Sequence, residues 1–452
     1  MAVNPGTALL DDLQGALDRA IAASAVPGAV IAIQHGDRRH VAAAGVLNVA
    51  TRVGVTPESV FQIGSVTKAL TATLVMQLVD QDLVELDAPV VSYLPQLQLD
   101  AAPAPRSVLV RHLLDHTSGL DGDFFLDTGR NDDALEKYVA RCAALPFLGP
   151  PGKYFSYCNA GYSILGRLVE VMTASPWDQA LRDRILRPIG ATESATLAEE
   201  AVRLRAAVGH QLLPDGAGAR IADRITLPRS LGPAGFTLSM TAVGLLDFML
   251  AHFAGGEVAG RSPLISERSA AAMREPSVAL PDGSMWGLGW KLSDSGGVRL
   301  VGHDGGAAGQ GAFLWGIPAR KLAVAVVHNG GHSALLQRLL VTRALAELGQ
   351  WSAPAQPPVR STPLDLTPFA GVYENVGMRL TVSVEQRRLR VVGEHLQLPA
   401  PPPDFPLVAL ADGRFAAHLT PGEEPIVVAF LEADSDGRPG YLSIGRLHRR
   451  VA

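Results

Sequence analysis

Residues 61–79 read Phe61-Gln-Ile-Gly-Ser65-Val-Thr-Lys68-Ala-Leu-Thr-Ala-Thr-Leu-Val-Met-Gln-Leu-Val79. After Lys68 the stretch is apolar nearly all round, which is typical of a helix buried at the centre of a domain. We expect Ser65 at the N-terminus of this helix, where free backbone N–H groups and the helix dipole favour developing negative charge. Lys68 follows three residues later on the same helix face. Because burial lowers the pKa of a lysine, its neutral amine is then able to take the proton of an attacking serine.

A Ser-x-x-Lys sequence on its own is a weak indication of catalysis. Ser65 also fits a helix N-cap, and Lys68 also fits a side chain that extends to the surface. The chain has only five lysines, however, and this is its only Ser-x-x-Lys. The other motifs of the sequence therefore decide between the two interpretations.

A second motif is Tyr157-Cys-Asn159, where a loop leads into a helical pattern. A tyrosine and an amide two residues apart on a loop are both able to face a cleft. We predict that Tyr157 relays a proton between Ser65 and the leaving group, and that Asn159 holds a substrate amide. The alternative is a packed tyrosine beside a helix cap, since Tyr373-Glu-Asn375 has the same spacing elsewhere.

A third motif is the glycine-rich segment Gly302-His303-Asp-Gly305-Gly306. Glycines let a substrate lie against a strand edge and leave backbone N–H groups free. We predict that Gly305 and Gly306 bind substrate, and that the N–H groups of Gly306 and Ser65 form an oxyanion hole. His303 is predicted to supply a hydrogen-bond donor or a proton relay. The alternative is a glycine-rich turn with an incidental histidine.

The length of 452 residues exceeds one comfortable core, so we expect a large and a small domain. Strand-like runs at both ends of the first 350 residues, with helical patterns between them, predict one sheet that both ends build and helices cover. Residues 351–363 are rich in proline and small polar residues, which is typical of a linker. Short β-like runs at 380–385, 388–392, 406–410, 425–431 and 441–444 then predict a small barrel. At the start of the first domain, apolar residues at helical spacing predict a helix from Asp11 to Ala23. The predicted domains are thus 1–350 and 364–452, joined by the linker 351–363.

Composition and charge exclude several classes of function. A net charge of −5 makes nucleic acid a poor partner. No apolar stretch reaches the ~18–20 residues that cross a bilayer, and the N-terminus lacks a signal-peptide pattern, so we expect a cytoplasmic protein with no membrane partner. His112 and His116 have the spacing of a metal pair, but no glutamate follows the first histidine, and we expect neither metal nor cofactor. Cys158 has no evident base partner, so we expect it to pack.

Taken in order, Ser65-x-x-Lys68, Tyr157-x-Asn159 and His303-Asp-Gly305 resemble the motif set of the serine β-lactamase and penicillin-binding-protein superfamily. The resemblance spans roughly residues 8–350. It implies an α/β (α+β) transpeptidase-like domain, and the tail resembles the lipocalin-like β-barrel appended in some relatives. Three further segments look like the same superfamily: Leu113-Leu-Asp-His-Thr-Ser-Gly-Leu120, Gly235-Phe-Thr-Leu-Ser-Met-Thr-Ala242 and Trp286-Gly-Leu-Gly-Trp290.

One position departs from the pattern of β-lactamases and penicillin-binding proteins. Those enzymes carry Lys-Thr/Ser-Gly where this chain has His303-Asp-Gly305. Their lysine helps to hold a carboxylate, and a histidine is a weaker anion anchor near pH 7. Histidine at this place is typical of the superfamily's esterases, D-amino-acid peptidases and penicillin-binding-protein-type thioesterases. We therefore do not expect efficient β-lactam hydrolysis.

Among these groups the chain looks most like the penicillin-binding-protein-type thioesterases. The resemblance implies that Ser65 takes a peptidyl group from the phosphopantetheine thioester of a peptidyl carrier protein in a nonribosomal peptide synthetase. The peptide's own N-terminal amine then releases a head-to-tail macrolactam. Gly235 and Arg446 resemble cleft-lining, substrate-binding positions of that group. A turn glycine and a solvated arginine are the alternatives.

Two other functions stay open. A D-stereospecific peptidase or carboxylesterase hydrolyses the same kind of acyl-enzyme with water, and the motifs do not separate it from a cyclase. A non-enzymatic sensor or scaffold would usually have lost the serine, the lysine or the tyrosine. Ser65, Lys68 and Tyr157 are all present, which favours an enzyme.

Overall fold

The computed structural model describes residues 8–99, 107–213, 218–224, 227–355, 357–397, 402–417 and 425–451. In these ranges no helix combines the length and the apolar character that a membrane span needs. Two π-helical turns, Arg182–Leu186 and Arg338–Thr342, continue the helices Trp177–Leu181 and Ser333–Gln337. The α-helices are α1 Ala8–Asp11, α2 Leu13–Ala23, α3 Thr67–Asp80, α4 Val110–Leu114, α5 Ala134–Cys142, α6 Asn159–Thr173, α7 Trp177–Leu181, α8 Ala198–Ala201, α9 Ala242–Phe253, α10 Glu267–Met273, α11 Ser333–Gln337 and α12 Arg343–Gly349.

The strands fall into an N-terminal group and a C-terminal group. The first thirteen are β1 Gly28–His35, β2 Arg38–Gly45, β3 Phe61–Gln62, β4 Ser194–Ala195, β5 His210–Leu212, β6 Ala219–Ile221, β7 Ser239–Met240, β8 Val278–Ala279, β9 Met285–Trp286, β10 Lys291–Ser295, β11 Val298–Ala307, β12 Gln310–Ile317 and β13 Leu322–His328. The rest are β14 Gly371–Glu374, β15 Met378–Glu385, β16 Arg388–His395, β17 Asp404–Ala409, β18 Phe415–Ala417, β19 Ile426–Ala433, β20 Pro439–Ser443 and β21 Leu447–Arg450.

An eight-stranded antiparallel sheet forms the centre of the first domain, in the order β2-β1-β13-β12-β11-β10-β9-β8. Strand β1 pairs with β13, with Ala29 opposite His328 and His35 opposite Leu322. The two ends of the domain therefore build one sheet, which confirms the predicted arrangement.

Helices cover both faces of this sheet, and the sequence of β1 shows why. Val30 and Ala32 lie in one buried core with α3, α6 and α9, whereas Ile31 and Ile33 lie in a second core with α2 and α12. Successive side chains of a strand point to opposite faces, so a strand covered on both sides needs a continuous apolar run. The stretch Gly28-Ala-Val-Ile-Ala-Ile33 meets that need.

The apolar run after Lys68 forms the central helix α3 of the first core. Twelve of its 14 residues, Thr67 through Leu78, are buried. An amphipathic helix would leave one face in water, and this one leaves almost none. The buried helix predicted to begin at Ser65 is thus confirmed as α3, Thr67–Asp80, and it carries Lys68 into the interior.

The C-terminal strands close into an antiparallel barrel, β14-β15-β16-β17-β18-β19-β20-β21, in which β14 pairs with β21. Strand β16 alternates exposed and buried positions, with Leu389 and Val391 in the barrel core. That alternation is the period-2 pattern of a sheet with one dry face. A lipocalin-like barrel following an α/β domain is confirmed as the fold class.

The barrel packs against the loop that precedes α6. Leu148 of the first domain lies in one apolar cluster with Tyr441 and Leu447 of the barrel. The backbone N–H of Leu447 donates to Ser156 Oγ at 3.1 Å. The turn between β20 and β21 is thereby brought next to Tyr157, the second predicted motif.

Candidate active site

Ser65 lies on a 3₁₀ turn, Gly64–Val66, that runs directly into α3. Gly64 has φ +53°, a left-handed conformation that favours glycine. An ideal Cβ at Gly64 would lie 2.5 Å from the backbone N of Gly306, and one at Gly235 would lie 2.4 Å from Gly64 O. Backbone from two other segments therefore packs against the turn on both sides and fixes the place of Ser65.

Lys68 is fully buried and touches three oxygens. Its Nζ lies 2.8 Å from Asn159 Oδ1, 2.5 Å from the carbonyl oxygen of Ala234 and 3.3 Å from Ser65 Oγ. Burial, and then the positive charge of Arg446, lower the pKa of Lys68 well below its usual value. A neutral amine has two N–H bonds, which the two carbonyl oxygens accept. Its lone pair is then left for the Ser65 hydroxyl.

Tyr157 also forms a hydrogen bond with the Ser65 side chain. Burial raises the pKa of Tyr157, so it is a neutral phenol near neutral pH. Its ring stacks on His116 with centroids 4.3 Å apart, and its backbone N–H donates to Gly445 O of the barrel at 3.0 Å. Ser65 therefore lies between a neutral amine and a neutral phenol.

Asn159 is the first residue of α6, and both ends of its amide are occupied. Oδ1 accepts from Lys68, and Nδ2 donates to Asp123 Oδ1 at 2.8 Å. Its predicted role as a holder of a substrate amide stays a prediction. The preceding Cys158 caps the helix by accepting from the N–H of Gly161, and burial raises the pKa of its thiol to about 11.

His303 lies on β11 beside the site and is neutral. Its Nδ1 is 2.6 Å from the carbonyl oxygen of Asp304, which can only accept, so Nδ1 carries the proton. Burial lowers the pKa of His303 to about 3. Its Nε2 is a buried acceptor that finds no hydrogen-bond partner in the part of the chain described. A neutral ring is a poor anion anchor, which agrees with the departure from Lys-Thr/Ser-Gly.

The glycines after His303 lie where β11 has an open edge. Strand β10 pairs with β11 only as far as Lys291 opposite Gly302. An ideal Cβ at Gly305 would lie 1.9 Å from Ile63 O and 3.0 Å from Ser65 N. The close approach needs glycine and brings this segment beside the nucleophile. The oxyanion hole of Ser65 and Gly306 N–H groups stays a prediction, and the structure brings the two segments together.

Arg446 enters the site from the turn between β20 and β21. Its guanidinium carbon lies 5.0 Å from the centroid of the Tyr157 ring, and it forms an ion pair with Asp123. Gly235, by contrast, contacts the backbone of Gly64 and Ser65 rather than the pocket. Both were predicted to line the cleft, and only Arg446 is among the residues that line it.

Above Ser65 is an open pocket of about 280 Å³. Phe155, Leu280 and Trp286 give it apolar walls, while Lys291 and Arg446 lie at its edge. His116 supports Tyr157 and Trp286 from beneath, with its Nδ1 accepting from Cys158 N–H at 3.0 Å.

Sequence reasoning missed several of these site residues as functional positions. His116 and Trp286 lie within the supporting segments 113–120 and 286–290, so those segments contained the signal. Asp123, Phe155 and Lys291 stand in no recognised motif.

His112 and His116, which have the spacing of a metal pair, each accept a hydrogen bond from the backbone. His112 Nδ1 accepts from Leu109 N–H at 3.2 Å, and His116 Nδ1 accepts from Cys158 N–H. Across the described ranges, no group of three or more His, Cys, Asp and Glu side chains could hold a metal ion. Both histidines thus take part in the local structure of the loop that leads to Tyr157.

Comparison with known proteins agrees with this geometry. Residues 13–347 match the family described as Beta-lactamase. "Penicillin-binding protein 4" of Amycolatopsis lactamdurans is 42% identical over 361 residues, which cover 78% of this chain and 94% of that protein. "D-aminopeptidase" of Brucella canis is 27% identical over 321 residues, 67% of this chain and 56% of that protein.

The similarity to one solved structure extends through the barrel. The crystal structure of SurE has a TM-score of 0.78 and 29% identity, covering 98% of this chain and 99% of that chain. SurE has also been solved with D-Leu, with a TM-score of 0.76. With its family match, its central sheet, its buried Ser-x-x-Lys helix and its appended barrel, this chain belongs to the serine β-lactamase and penicillin-binding-protein superfamily.

Proposed function

We propose that this enzyme takes a peptidyl group from a carrier-protein thioester onto Ser65 and releases it as a head-to-tail macrolactam. The observation that carries the acyl-transfer part is the position of Ser65 Oγ, which is 3.3 Å from a buried lysine amine and hydrogen-bonded to the half-buried Tyr157. Both partners are neutral because burial disfavours their charged forms. A serine so placed is an activated nucleophile.

The first half of the proposed reaction forms an ester on Ser65. Neutral Lys68 accepts the hydroxyl proton as Oγ bonds to the thioester carbon, and the N–H groups of Ser65 and Gly306 hold the oxyanion. The C–S bond breaks as Tyr157, assisted by His303, passes a proton to the leaving thiolate. The products of this half are the peptidyl ester and the free thiol.

The second half forms the ring. The peptide's N-terminal amine attacks the ester carbon while the Tyr157 phenolate left by the first half takes its proton. The C–Oγ bond breaks, and protonated Lys68 returns its proton to Ser65 Oγ, so that Ser65, Lys68 and Tyr157 are again neutral. Water competes with the amine at this step. The apolar walls of Phe155, Leu280 and Trp286 support aminolysis, because they favour a folded peptide over bulk water in the pocket.

One comparison and one site residue support this choice of substrate. SurE matches the whole chain including the barrel, and it has been solved with D-Leu, which agrees with a D-configured residue at the acyl terminus. The neutral His303 replaces the lysine that anchors a β-lactam carboxylate, which argues against penicillin as substrate. The similarity to a D-aminopeptidase supports the second candidate, a D-stereospecific peptidase or esterase.

The test is mass spectrometry of the products from peptidyl N-acetylcysteamine thioesters. One peptide ends in a D-residue and a matched peptide ends in its L-enantiomer, and Ser65→Ala is the control enzyme. We expect a product one water lighter than the linear acid, from the D-peptide and the unaltered enzyme only. Linear acid as the sole product would instead support the peptidase or esterase, and cyclic product from Ser65→Ala would overturn the role of Ser65.

A further inference from the structure

The loop of residues 121–126 (Asp-Gly-Asp-Phe-Phe-Leu) lies between the barrel and the catalytic lysine. It has no regular secondary structure, and barrel residues hold it at three points. The Asp121 carboxylate accepts from Val376 N–H at 2.6 Å. Gln397 clamps the loop from both sides, donating to Asp123 O at 2.8 Å and accepting from Phe125 N–H at 3.1 Å. The conformation of this loop therefore depends on the docked barrel.

The Asp123 side chain uses its two oxygens for two different domains. Oδ1 accepts from Asn159 Nδ2 at 2.8 Å, and Oδ2 forms an ion pair with Arg446 of the barrel. Asn159 in turn accepts from Lys68 at 2.8 Å. A continuous polar chain thus runs from the barrel arginine to the lysine beside Ser65.

We propose that Asp123 is a positioning residue through which the barrel controls Lys68. It orients the Asn159 amide toward the lysine, and it holds Arg446 at a fixed place next to the site. The barrel then acts as a part of the catalytic centre rather than as a cover for a sheet edge. The proposal rests only on the acylation half of the proposed function, not on the identity of the acyl group.

The orientation of Asn159 follows from the chemistry of the two ends of its amide. A carboxylate can only accept hydrogen bonds, so Asp123 requires the NH₂ end of the amide to face it. The carbonyl end is then turned toward Lys68, where it accepts an N–H. A reversed amide would point two N–H donors at the lysine and would leave a buried carboxylate oxygen facing another oxygen.

Asp123 and Arg446 also act on Lys68 by charge, and with opposite signs. The positive Arg446 lowers the pKa of Lys68, after the larger effect of burial, and the negative Asp123 raises it. The pKa of Lys68 therefore depends on the opposing charges of both residues. The other titratable groups that face Lys68 come from the remaining packed elements: His116, Tyr157, Cys158, Tyr162 and His303.

The test measures the rate at which an alkyl fluorophosphonate labels Ser65 as a function of pH, read by intact-protein mass. Labelling requires neutral Lys68, so the rate rises with pH through the pKa of the lysine. In Asp123→Asn the loss of a negative charge is expected to move this rise to lower pH. In Arg446→Met the loss of a positive charge is expected to move it to higher pH, each by about 1 pH unit.

The double variant Asp123→Asn/Arg446→Met is expected to return the rise close to its original pH. Gln397→Ala, which loosens the loop without changing charge, is expected to slow labelling at every pH and leave the rise in place. Shifts of the two single variants in the same direction, or slower labelling with no shift, would overturn the proposal. If Asp123→Asn does not fold, Arg446→Met decides alone, because the Arg446 side chain is 36% exposed and its replacement should not prevent folding. An unshifted pH profile of labelling in Arg446→Met would contradict the proposed effect of charge on Lys68.

The reagent needs neither a carrier protein nor a cyclisable peptide. Failure of the cyclase proposal would therefore leave this result unaffected. Conversely, a macrocycle formed by Asp123→Asn and Arg446→Met with unshifted labelling profiles would keep the cyclase and reject the role of Asp123.

Discussion

At the scale of one residue, the surroundings of Lys68 favour its neutral amine over the charged ammonium group. Its amine is fully buried and meets two carbonyl oxygens that together take two N–H bonds. A third N–H would have to point at Ser65 Oγ, and burial disfavours the charge that comes with it. The neutral state therefore agrees with both the hydrogen bonds and the electrostatics.

Replacing Lys68 should stop acylation without unfolding the protein. We expect Lys68→Ala to lower the rate of Ser65 labelling by about 10²–10⁴-fold, because no general base remains. Lys68→Arg should fail equally, since a guanidinium stays protonated. Lys137→Ala is the matched control, because Lys137 is exposed and pairs with Asp133. Labelling of Lys68→Ala near the original rate would show that another group is the base.

The hydroxyl groups of Tyr157 and Tyr162 have different partners, which separates a chemical role from a structural one. The hydroxyl of Tyr157 bonds to Ser65, whereas the hydroxyl of Tyr162 donates to Leu114 O at 2.8 Å. We expect Tyr157→Phe to label Ser65 about 10²–10⁴-fold more slowly while its thermal stability stays close to the original. Tyr162→Phe should lose about 1–3 kcal/mol of unfolding free energy, because Leu114 O is left unpaired, and should label normally.

Labelling rates and urea unfolding of the two variants check this prediction. Equal effects of both substitutions on labelling would mean that Tyr157 acts by packing alone. A large loss of stability in Tyr157→Phe would mean the same.

At the scale of elements, the turn before α3 is fixed by backbone contact. Gly235 has φ +116°, and a Cβ there would lie 2.4 Å from Gly64 O and 2.8 Å from Ser65 N. In Gly235→Ala, the strain of the left-handed backbone and the overlap of the new Cβ could not be relieved by rotating a side chain, because the neighbouring atoms belong to the backbone. In this structure Gly235 therefore acts by fixing the position of Ser65.

We therefore expect Gly235→Ala to displace Ser65 and slow its labelling on the order of 100-fold, while the chain still folds. Gly54→Ala is the control, since a Cβ at this exposed glycine would meet nothing within 4 Å and its φ is not left-handed. Labelling rates and circular dichroism of both variants are the measurements. Unchanged labelling in Gly235→Ala would return Gly235 to the substrate-binding role predicted from the sequence.

At the scale of the whole molecule, buried histidines predict a loss of stability in acid. Burial lowers the pKa of His252 and His303 to about 3, and of His328 and His448 to about 4. Between these values and the unfolded pKa of about 6.5, the unfolded chain binds more protons than the native one, so stability falls as pH falls. Asp121, whose pKa burial raises to about 7, contributes the opposite sign.

We expect the four histidines to outweigh Asp121, so that the melting temperature falls steadily from pH 6.5 toward pH 4. His252→Gln, in a buried site beside Thr73, should flatten part of this fall because it removes one titrating group. Thermal unfolding at a series of pH values checks both statements. A melting temperature that is constant or rises toward pH 4 would contradict the prediction.

Local patterns were enough to predict most elements but not all of them. Residues 380–385, 388–392, 406–410, 425–431 and 441–444 were predicted as strands and lie in β15, β16, β17, β19 and β20 apart from single end residues. The strands β14, β18 and β21 were missed, because three or four residues are too few to show an alternation. The helix predicted from Asp11 to Ala23 is divided at Asp12, whose side chain caps α2 by accepting from Gly15 N–H.

The sequence by itself determined the candidate nucleophile and its helix, the three motifs, the mixed class of the first domain and the barrel that follows it. These rest on residue identity and on periodicity over a few turns or strands, which are local properties. Only the tertiary structure decided that Asp123, His116, Trp286 and Arg446 meet at Tyr157 and Lys68. These residues lie as much as 378 positions apart along the chain, and side chains so distant are brought together by packing. The neutral state of Lys68 is likewise a consequence of burial, which no single stretch of sequence contains.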